Sequence, residues 1–225
     1  MRREIDALAT WRYAPTAHAL ENLRREGLRG AVTGNTVVDA MQRYTDAWPR
    51  AEDAPTILVT LHRREFYTRQ DAGGVLDALI EGARLHPGVT LVWPVHPAMH
   101  ALAEAALRDA PDNVRPCDPM PYASMIDMLA GARGVLTDSG GVTEEAATLG
   151  VPTVVLRRVT DRPEAVEAGI AMLWAPTPEN TLHAVRVLAQ RMIARIPSVI
   201  YGDGAAARRI VTHLTGALRA RMVRA

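Results

Sequence analysis

Val135-Leu-Thr-Asp-Ser-Gly-Gly-Val-Thr-Glu-Glu-Ala-Ala-Thr-Leu-Gly150 is the stretch whose reading decides the fold. The apolar run Gly134-Val-Leu-Thr-Asp138 predicts a buried strand. Ser139 is placed as a helix N-cap, two glycines follow, and Val142 to Leu149 has helical spacing. A strand that turns through glycine into a helix aims backbone N–H groups and the positive end of the helix dipole at one point, which suits a phosphate. Glycine matters because a Cβ at Gly140 or Gly141 would hold a pyrophosphate away from the backbone. Glu145, about one turn further in, is positioned to accept hydrogen bonds from ribose hydroxyls. The alternative is a plain strand–turn–helix junction with two solvated glutamates, and the turn alone does not decide between the two.

The surrounding chain adds context. It has 225 residues, room for one large domain or two small ones, and 48% of them are hydrophobic, enough for a buried core. Its 26 basic and 25 acidic residues leave a net charge of +1, so nothing marks a nucleic-acid or membrane surface. A single cysteine, Cys117, excludes an internal disulfide framework. No apolar run approaches the ~20 residues of a membrane span, and no signal-peptide pattern opens the chain. These features together predict a soluble, cytoplasmic α/β protein.

From Thr56 onward short β-branched runs alternate with helical periods. Strands are expected at 57–61, 89–93, 114–117, 134–138, 153–156 and 171–174. Helices are expected at 72–85, 98–107, 122–130, 142–149, 163–168 and 178–195, with a last one from 205 to 222. Before Thr56 the pattern predicts helices over 2–11, 17–26 and from Thr36, and a short strand at 31–33. Alternation at this spacing means a parallel sheet with right-handed crossovers and helices on both faces. In such sheets ligands bind outside the carboxyl ends of the strands. That rule lines His62, His96, Asp138-Ser139 and Arg157-Arg158 along one rim, because each follows its strand directly.

Taken singly, these rim residues leave alternatives open. His62-Arg63-Arg64 would neutralise a pyrophosphate or simply face solvent. His96 is fixed between prolines as a loop histidine or a ligand. Arg157, Arg158 and Arg162 form a cationic loop before a helix or a salt-bridged one. The histidines lie far apart and no cysteine pair exists, so no metal site is expected. Ser139 sits outside a Gly-x-Ser-x-Gly elbow, so no serine nucleophile is expected either.

Six motifs in order then carry a resemblance: Thr33-Gly-Asn-Thr-Val-Val-Asp39, His62-Arg-Arg-Glu65, Pro94-Val-His-Pro97, Leu136-Thr-Asp-Ser-Gly-Gly-Val-Thr-Glu-Glu145, Arg162-Pro-Glu-Ala-Val-Glu-Ala-Gly169 and Tyr201-Gly-Asp-Gly204. Together they resemble the non-hydrolysing UDP-N-acetylglucosamine 2-epimerases over nearly the whole chain. The resemblance implies one half of a glycosyltransferase-B-like fold, a Rossmann-like domain facing a second one across a cleft that holds the UDP-sugar. It also implies interconversion of UDP-GlcNAc and UDP-ManNAc by elimination and re-addition of UDP, serving cell-envelope polysaccharide, with no cofactor. Residue by residue, it implies that Ser139, Gly140 and Gly141 hold the diphosphate and Glu145 the ribose. His62 and Arg162 would stabilise the departing diphosphate, with Arg157 beside them, and uracil would lie against backbone near Met125. Arg63, Arg64 and His96 resemble residues that line a second, regulatory UDP-GlcNAc site in bacterial members.

Departures from the family pattern shape the remaining expectations. The chain corresponds to the nucleotide-binding half, so residues 1–30 are expected to be a remnant of the N-terminal domain. Residues 31–204 are expected to form the UDP-binding domain, and 205–225 a helix that returns to the N-terminal domain. Phe66 stands where Asn or Ser is usual, Met120 and Met125 where Gln and Phe-like residues are common, and Arg158 where an acidic residue is usual. The carboxylates that move the C2 proton belong to the N-terminal domain. The chain is therefore expected to be a truncated or split epimerase, with that domain lost or supplied by a separate polypeptide, or to act as a non-catalytic UDP-sugar-binding module; the nucleotide half of a UDP-sugar glycosyltransferase is the third reading. Apolar positions such as Ile5, Leu8 and Trp11 lose cover in this arrangement, which predicts a homodimer.

Overall fold

The computed structural model describes residues 2–44, 55–63 and 69–222. They fall into two compact units, one made of residues 1–46 with 199–225 and the other of 47–198.

The larger unit is the alternating α/β pattern. Its strands are β3 (Thr56–Thr60), β4 (Thr90–Pro94), β5 (Val114–Cys117), β6 (Gly134–Thr137), β7 (Thr153–Leu156) and β8 (Ala171–Trp174). All pair in parallel, in the order β5-β4-β3-β6-β7-β8. Counted within the sheet this is 3-2-1-4-5-6, the order of a doubly wound nucleotide-binding sheet. β3, β6 and β7 are near-continuously buried, as strands covered on both faces must be. One helical layer holds α4 (Arg69–Leu85), α5 (His100–Leu107) and α9 (Pro178–Ala189), where α4 packs on both others; the opposite layer holds α6 (Tyr122–Gly131), α7 (Gly140–Leu149) and α8 (Pro163–Glu167). Ile57, Val59, Leu79, Leu91, Trp93, Leu136, Val154 and Val185 form the centre of the core.

Local sequence explains the helix ends. Thr177 caps α9 by accepting from Asn180 N, with Pro178 at the first position. Gly150 closes α7 at φ 72°, and a Cβ there would lie 2.3 Å from Pro197 N, so glycine is required twice over. α9 ends at Ala189 rather than at 195, where Arg191 adopts a left-handed φ of 54°.

The smaller unit holds α1 (Arg2–Leu8), β1 (Tyr13–Ala14), α2 (Ala17–Arg25), β2 (Ala31–Val32), α3 (Thr36–Gln42) and α10 (Ala206–Met222). β1 and β2 form a two-stranded parallel sheet with α2 as the crossover, Tyr13 opposite Ala31 and Ala14 opposite Val32. The first helix stops at Leu8 instead of running to Trp11. Trp11 packs edge-on against His213 of α10, and Tyr13 Oη lies 2.8 Å from His213 Nδ1. Asp39 of α3 caps α10 by accepting from Ala206 N (3.1 Å) and Ala207 N (2.9 Å).

These contacts divide the chain differently from the boundaries expected at residues 30 and 204. Residues 31–46 group with the first thirty and with the last helix, because strand pairing and the Asp39 cap tie them there. Within this unit Ile5, Leu8, Val32, Val211, Leu218 and Met222 remain exposed. No helix among the described residues is long and apolar enough to cross a membrane.

Candidate functional site

The sheet order reverses between β3 and β6, and the crevice at such a switch point is where a doubly wound sheet receives its ligand. Residues leaving these two strands build its floor. Asp138, fully buried at the end of β6, accepts at Oδ2 from the backbone N–H groups of His62 and Arg63, both at 2.8 Å. Arg63 Nε also donates to Asp138 O at 3.1 Å. One carboxylate thus ties the β3 exit to the β6 exit. Just beneath it, Thr60 Oγ1 and Thr137 Oγ1 lie 2.6 Å apart across the same strand pair, and Ser139 N donates to Thr137 Oγ1 at 2.9 Å.

Ser139 then caps α7, its Oγ accepting from Val142 N at 3.4 Å. Gly140 and Gly141 open the helix at the mouth of the crevice. A Cβ on Gly140 would meet Asp161 Oδ1 at 3.3 Å and Arg162 Cγ at 3.5 Å, whereas one on Gly141 would find only Ser139 Oγ at 3.9 Å. Gly140 therefore lets the β7–α8 loop approach, and Gly141 leaves the first turn open. That turn offers amide hydrogens and the positive dipole end to an anion.

Three guanidinium groups surround the turn. Arg157 Nη1 donates to Asp161 Oδ1 at 2.5 Å, Arg63 Nη2 lies 3.6 Å from the same oxygen, and Arg162 Nη1 lies 3.6 Å from Asp161 Oδ2. Asp161 collects all three, and despite partial burial its Arg157 bond and the nearby arginine charges hold its carboxyl below the usual range. Arg162 Nε also donates to the buried Glu144, so its side chain is held toward α7. Arg63 is turned to the same turn as Arg157 and Arg162 rather than away from it.

Glu145 lies one helical turn in and is 6% exposed. Tyr122 Oη, from the first residue of α6, donates to its Oε1 at 2.9 Å. Burial pushes the Glu145 carboxyl up to about 7; the Tyr122 bond opposes the rise and the neighbouring charge of Glu144 adds to it. Met125 sits half-buried on the same α6, whose N-terminus after Pro121 carries no side-chain cap.

His62 is half-exposed, with Nδ1 3.2 Å from Asp138 Oδ1. His96, at the β4 exit, accepts from Ala98 N at 3.2 Å to cap a short turn, and its ring lies 5.9 Å from that of His62. The structure therefore brings His62, Arg63, Ser139, Gly140, Gly141, Arg157 and Arg162 to one crevice, Glu145 and Met125 to its α6 side, and His96 to its β4 side. Arg64 lies outside the described residues. Sequence reasoning missed the work of Asp138, Asp161 and Tyr122. For Asp138 a signal existed: a carboxylate ending a buried strand must find donors. Among the described residues no group of three or more His, Cys, Asp or Glu side chains is placed to hold a metal ion.

This combination of a 3-2-1-4-5-6 parallel sheet and a glycine turn at its switch point defines a Rossmann-like α/β architecture, one half of a glycosyltransferase-B-like fold. The chain belongs to the UDP-N-acetylglucosamine 2-epimerase family, whose model matches residues 1–215. A UDP-N-acetylglucosamine 2-epimerase of Yersinia pestis is 36% identical over 92% of this chain and 61% of its own, and one of Bacillus subtilis 34% identical over 95% and 60%. Among solved structures, the Neisseria meningitidis UDP-GlcNAc 2-epimerase bound to UDP-GlcNAc superposes with a TM-score of 0.81, at 30% identity over 96% of this chain and 64% of that one. The chain thus spans about three-fifths of the length of the relatives it matches.

Proposed function

We propose that the chain binds the UDP moiety of UDP-GlcNAc and forms the nucleotide-binding part of a UDP-GlcNAc 2-epimerase. The observation that carries this reading is the open space over Gly141, at the N-terminus of α7, ringed by Arg63, Arg157 and Arg162. Ser139, Gly140 and Gly141 hold the diphosphate; amide hydrogens there form charge-assisted hydrogen bonds, about twice as strong as neutral ones. Arg162 and His62 face the same charge from either side, so both also stabilise a departing UDP, the kind of preorganised electrostatics on which elimination relies. Glu145 receives the ribose once Tyr122 gives way or shares its bond. Met125 marks the backbone against which uracil lies. The structures of relatives solved with UDP-GlcNAc or UDP support the choice of nucleotide. His96, with Arg63 and Arg64, remains the candidate for a second UDP-GlcNAc site.

Moving the C2 proton needs a base on one face of the sugar and a proton donor on the other. Four described carboxylates of this crevice are engaged with the protein itself: Asp138 with backbone amides, Glu144 with Arg162, Glu145 with Tyr122 and Asp161 with Arg157. Epimerisation in the cytoplasm therefore falls to an assembly in which an N-terminal domain contributes the proton-transfer groups. The smaller unit contains residues 1–30, read as a remnant of that domain, and the helix of 205–225, read as returning to it. Its exposed Ile5, Leu8, Val211 and Leu218 also support association of two copies. In this reading a UDP-sugar-binding module without catalysis is what the chain is by itself.

Titration calorimetry with UDP tests the binding. A Cβ at Gly141 meets only Ser139 Oγ, at 3.9 Å, so an indole there grows from open space into the phosphate position. Wild type should release heat and Gly141→Trp none; equal heats for both would contradict the site.

A further inference from the structure

Asp138 does more than join two loops. Its Oδ2 is saturated by the amides of His62 and Arg63, while its Oδ1, equally buried, has no aligned hydrogen-bond donor among the described residues. The nitrogen at hand is His62 Nδ1 at 3.2 Å, an ion-pair distance without hydrogen-bond alignment. A fully buried carboxylate oxygen left without a donor keeps its desolvation penalty uncompensated, so a modest turn of the half-exposed imidazole toward it is favoured. Only a hydrogen on Nδ1 can make that bond. Nδ1 and Nε2 flank Cε1 and their hydrogen-bonding directions diverge widely, so holding Nδ1 against Asp138 points Nε2 away from that carboxylate.

We propose that Asp138 is a positioning residue that fixes the tautomer and orientation of His62, committing Nδ1–H to the protein and Nε2 to the ligand crevice. The inference rests on the reading of that crevice as the UDP site, and it adds the group that makes His62 useful there. The same carboxylate sets the His62 and Arg63 backbone with Oδ2 and the His62 ring with Oδ1, so main chain and side chain are aligned by one rigid group on β6. Rigidity follows from burial: Asp138 is fully enclosed, and its own N–H donates to Thr60 O at 3.1 Å. An imidazole whose second nitrogen is held by a carboxylate keeps one nitrogen and one direction for its ligand, the device seen wherever a histidine must present a single face. His96 does not compete for this role, since its Nδ1 accepts from Ala98 N.

The test is the tautomer, read by two-bond nitrogen–proton correlation spectra of imidazole-labelled full chain at alkaline pH, where histidines are neutral. The protonated nitrogen of His62 should be Nδ1 in wild type. In Asp138→Asn the two backbone amides still need an oxygen acceptor, so the amide NH2 faces the ring and Nδ1 must accept. The hydrogen should then move to Nε2. UDP affinity of the variant should fall roughly tenfold, the lower end of what losing the outer partner of a ligating imidazole costs in metal sites. A wild-type His62 carrying its hydrogen on Nε2, or averaging between tautomers, would overturn the proposal. So would an unchanged tautomer in a folded variant, while the wild-type spectrum decides alone if the variant does not fold. Failure of UDP to bind wild type with Nδ1 protonated would instead remove the nucleotide reading and leave the Asp138–His62 arrangement standing, so the two claims fail separately.

Discussion

Tyr122 Oη donates to Glu145 Oε1 across 2.9 Å, linking the first residue of α6 to the second turn of α7 on the edge of the switch-point crevice. The acceptor is a carboxylate that burial holds near neutrality, at about 7 against an ordinary 4.5. A bond to a poised, enclosed carboxylate is one that a ligand hydroxyl can replace. It also makes the site a local cost to the fold.

That cost has a defined pH dependence. The folded-state value lies above the unfolded one, so the folded chain binds the extra proton between about 4.5 and 7. The contribution of Glu145 is favourable at low pH and is lost as pH rises through that window, for a total on the order of 3 kcal/mol. Glu145→Gln keeps an acceptor for Tyr122 and removes the titration. Urea unfolding should show the variant within about 0.5 kcal/mol of wild type at pH 5 and about 1–3 kcal/mol more stable at pH 8. A variant equally displaced at both pH values would contradict the assignment.

The threonine pair under the turn predicts a second effect. Thr137→Val is nearly isosteric, but it leaves the Thr60 hydroxyl and the Ser139 amide without their partner. The loss should be about 1–3 kcal/mol in denaturant unfolding. Weaker UDP binding should accompany it, because the Ser139 amide orients the start of α7. Replacing both threonines by valine removes the stranded hydroxyl and should cost less than the two single changes added together.

Gly150 gives a purely structural prediction. Its φ of 72° and the 2.3 Å approach of a Cβ to Pro197 N leave no room for a side chain. Gly150→Ala should destabilise by more than about 2 kcal/mol, since the obstacle is backbone and cannot rotate away. Gly141→Ala, whose Cβ enters open space, should unfold within about 1 kcal/mol of wild type. Thermal unfolding of the two variants side by side checks the contrast.

The sequence disclosed elements more readily than neighbourhoods. The apolar run that gives way to Ser139 and two glycines is a local signal: Ser139 caps α7 as expected, and the helix begins at Gly140, two residues before the helical spacing from Val142. Thr16 and Thr177 cap α2 and α9 in the same way. Strand order is not local. Nothing in the alternation from Thr56 onward states that β3 and β6 are neighbours, and the bonds from Asp138 to residues 62 and 63 depend on that adjacency. Tyr122 and Glu145 meet for the same reason, through packing of α6 on α7. In the smaller unit a helical reading carried the first helix on to Trp11, but Trp11 and Tyr13 are drawn to His213, some two hundred positions along the chain. Local periodicity holds no trace of such a partner.

The central claim is that the α7 turn at the β3–β6 switch point is a nucleotide diphosphate site. Amide chemical-shift mapping of the full chain with UDP tests it most directly. The account predicts saturable shifts at Ser139, Gly140, Gly141 and Val142, with further shifts at Arg162 and in the first turn of α6 up to Met125, and weaker ones at His62 and Arg63. Uridine, lacking the phosphates, should move the α6 amides but leave the glycine turn unchanged. Shifts confined to other parts of the chain, or no saturable change at the glycine turn with UDP, would contradict the account.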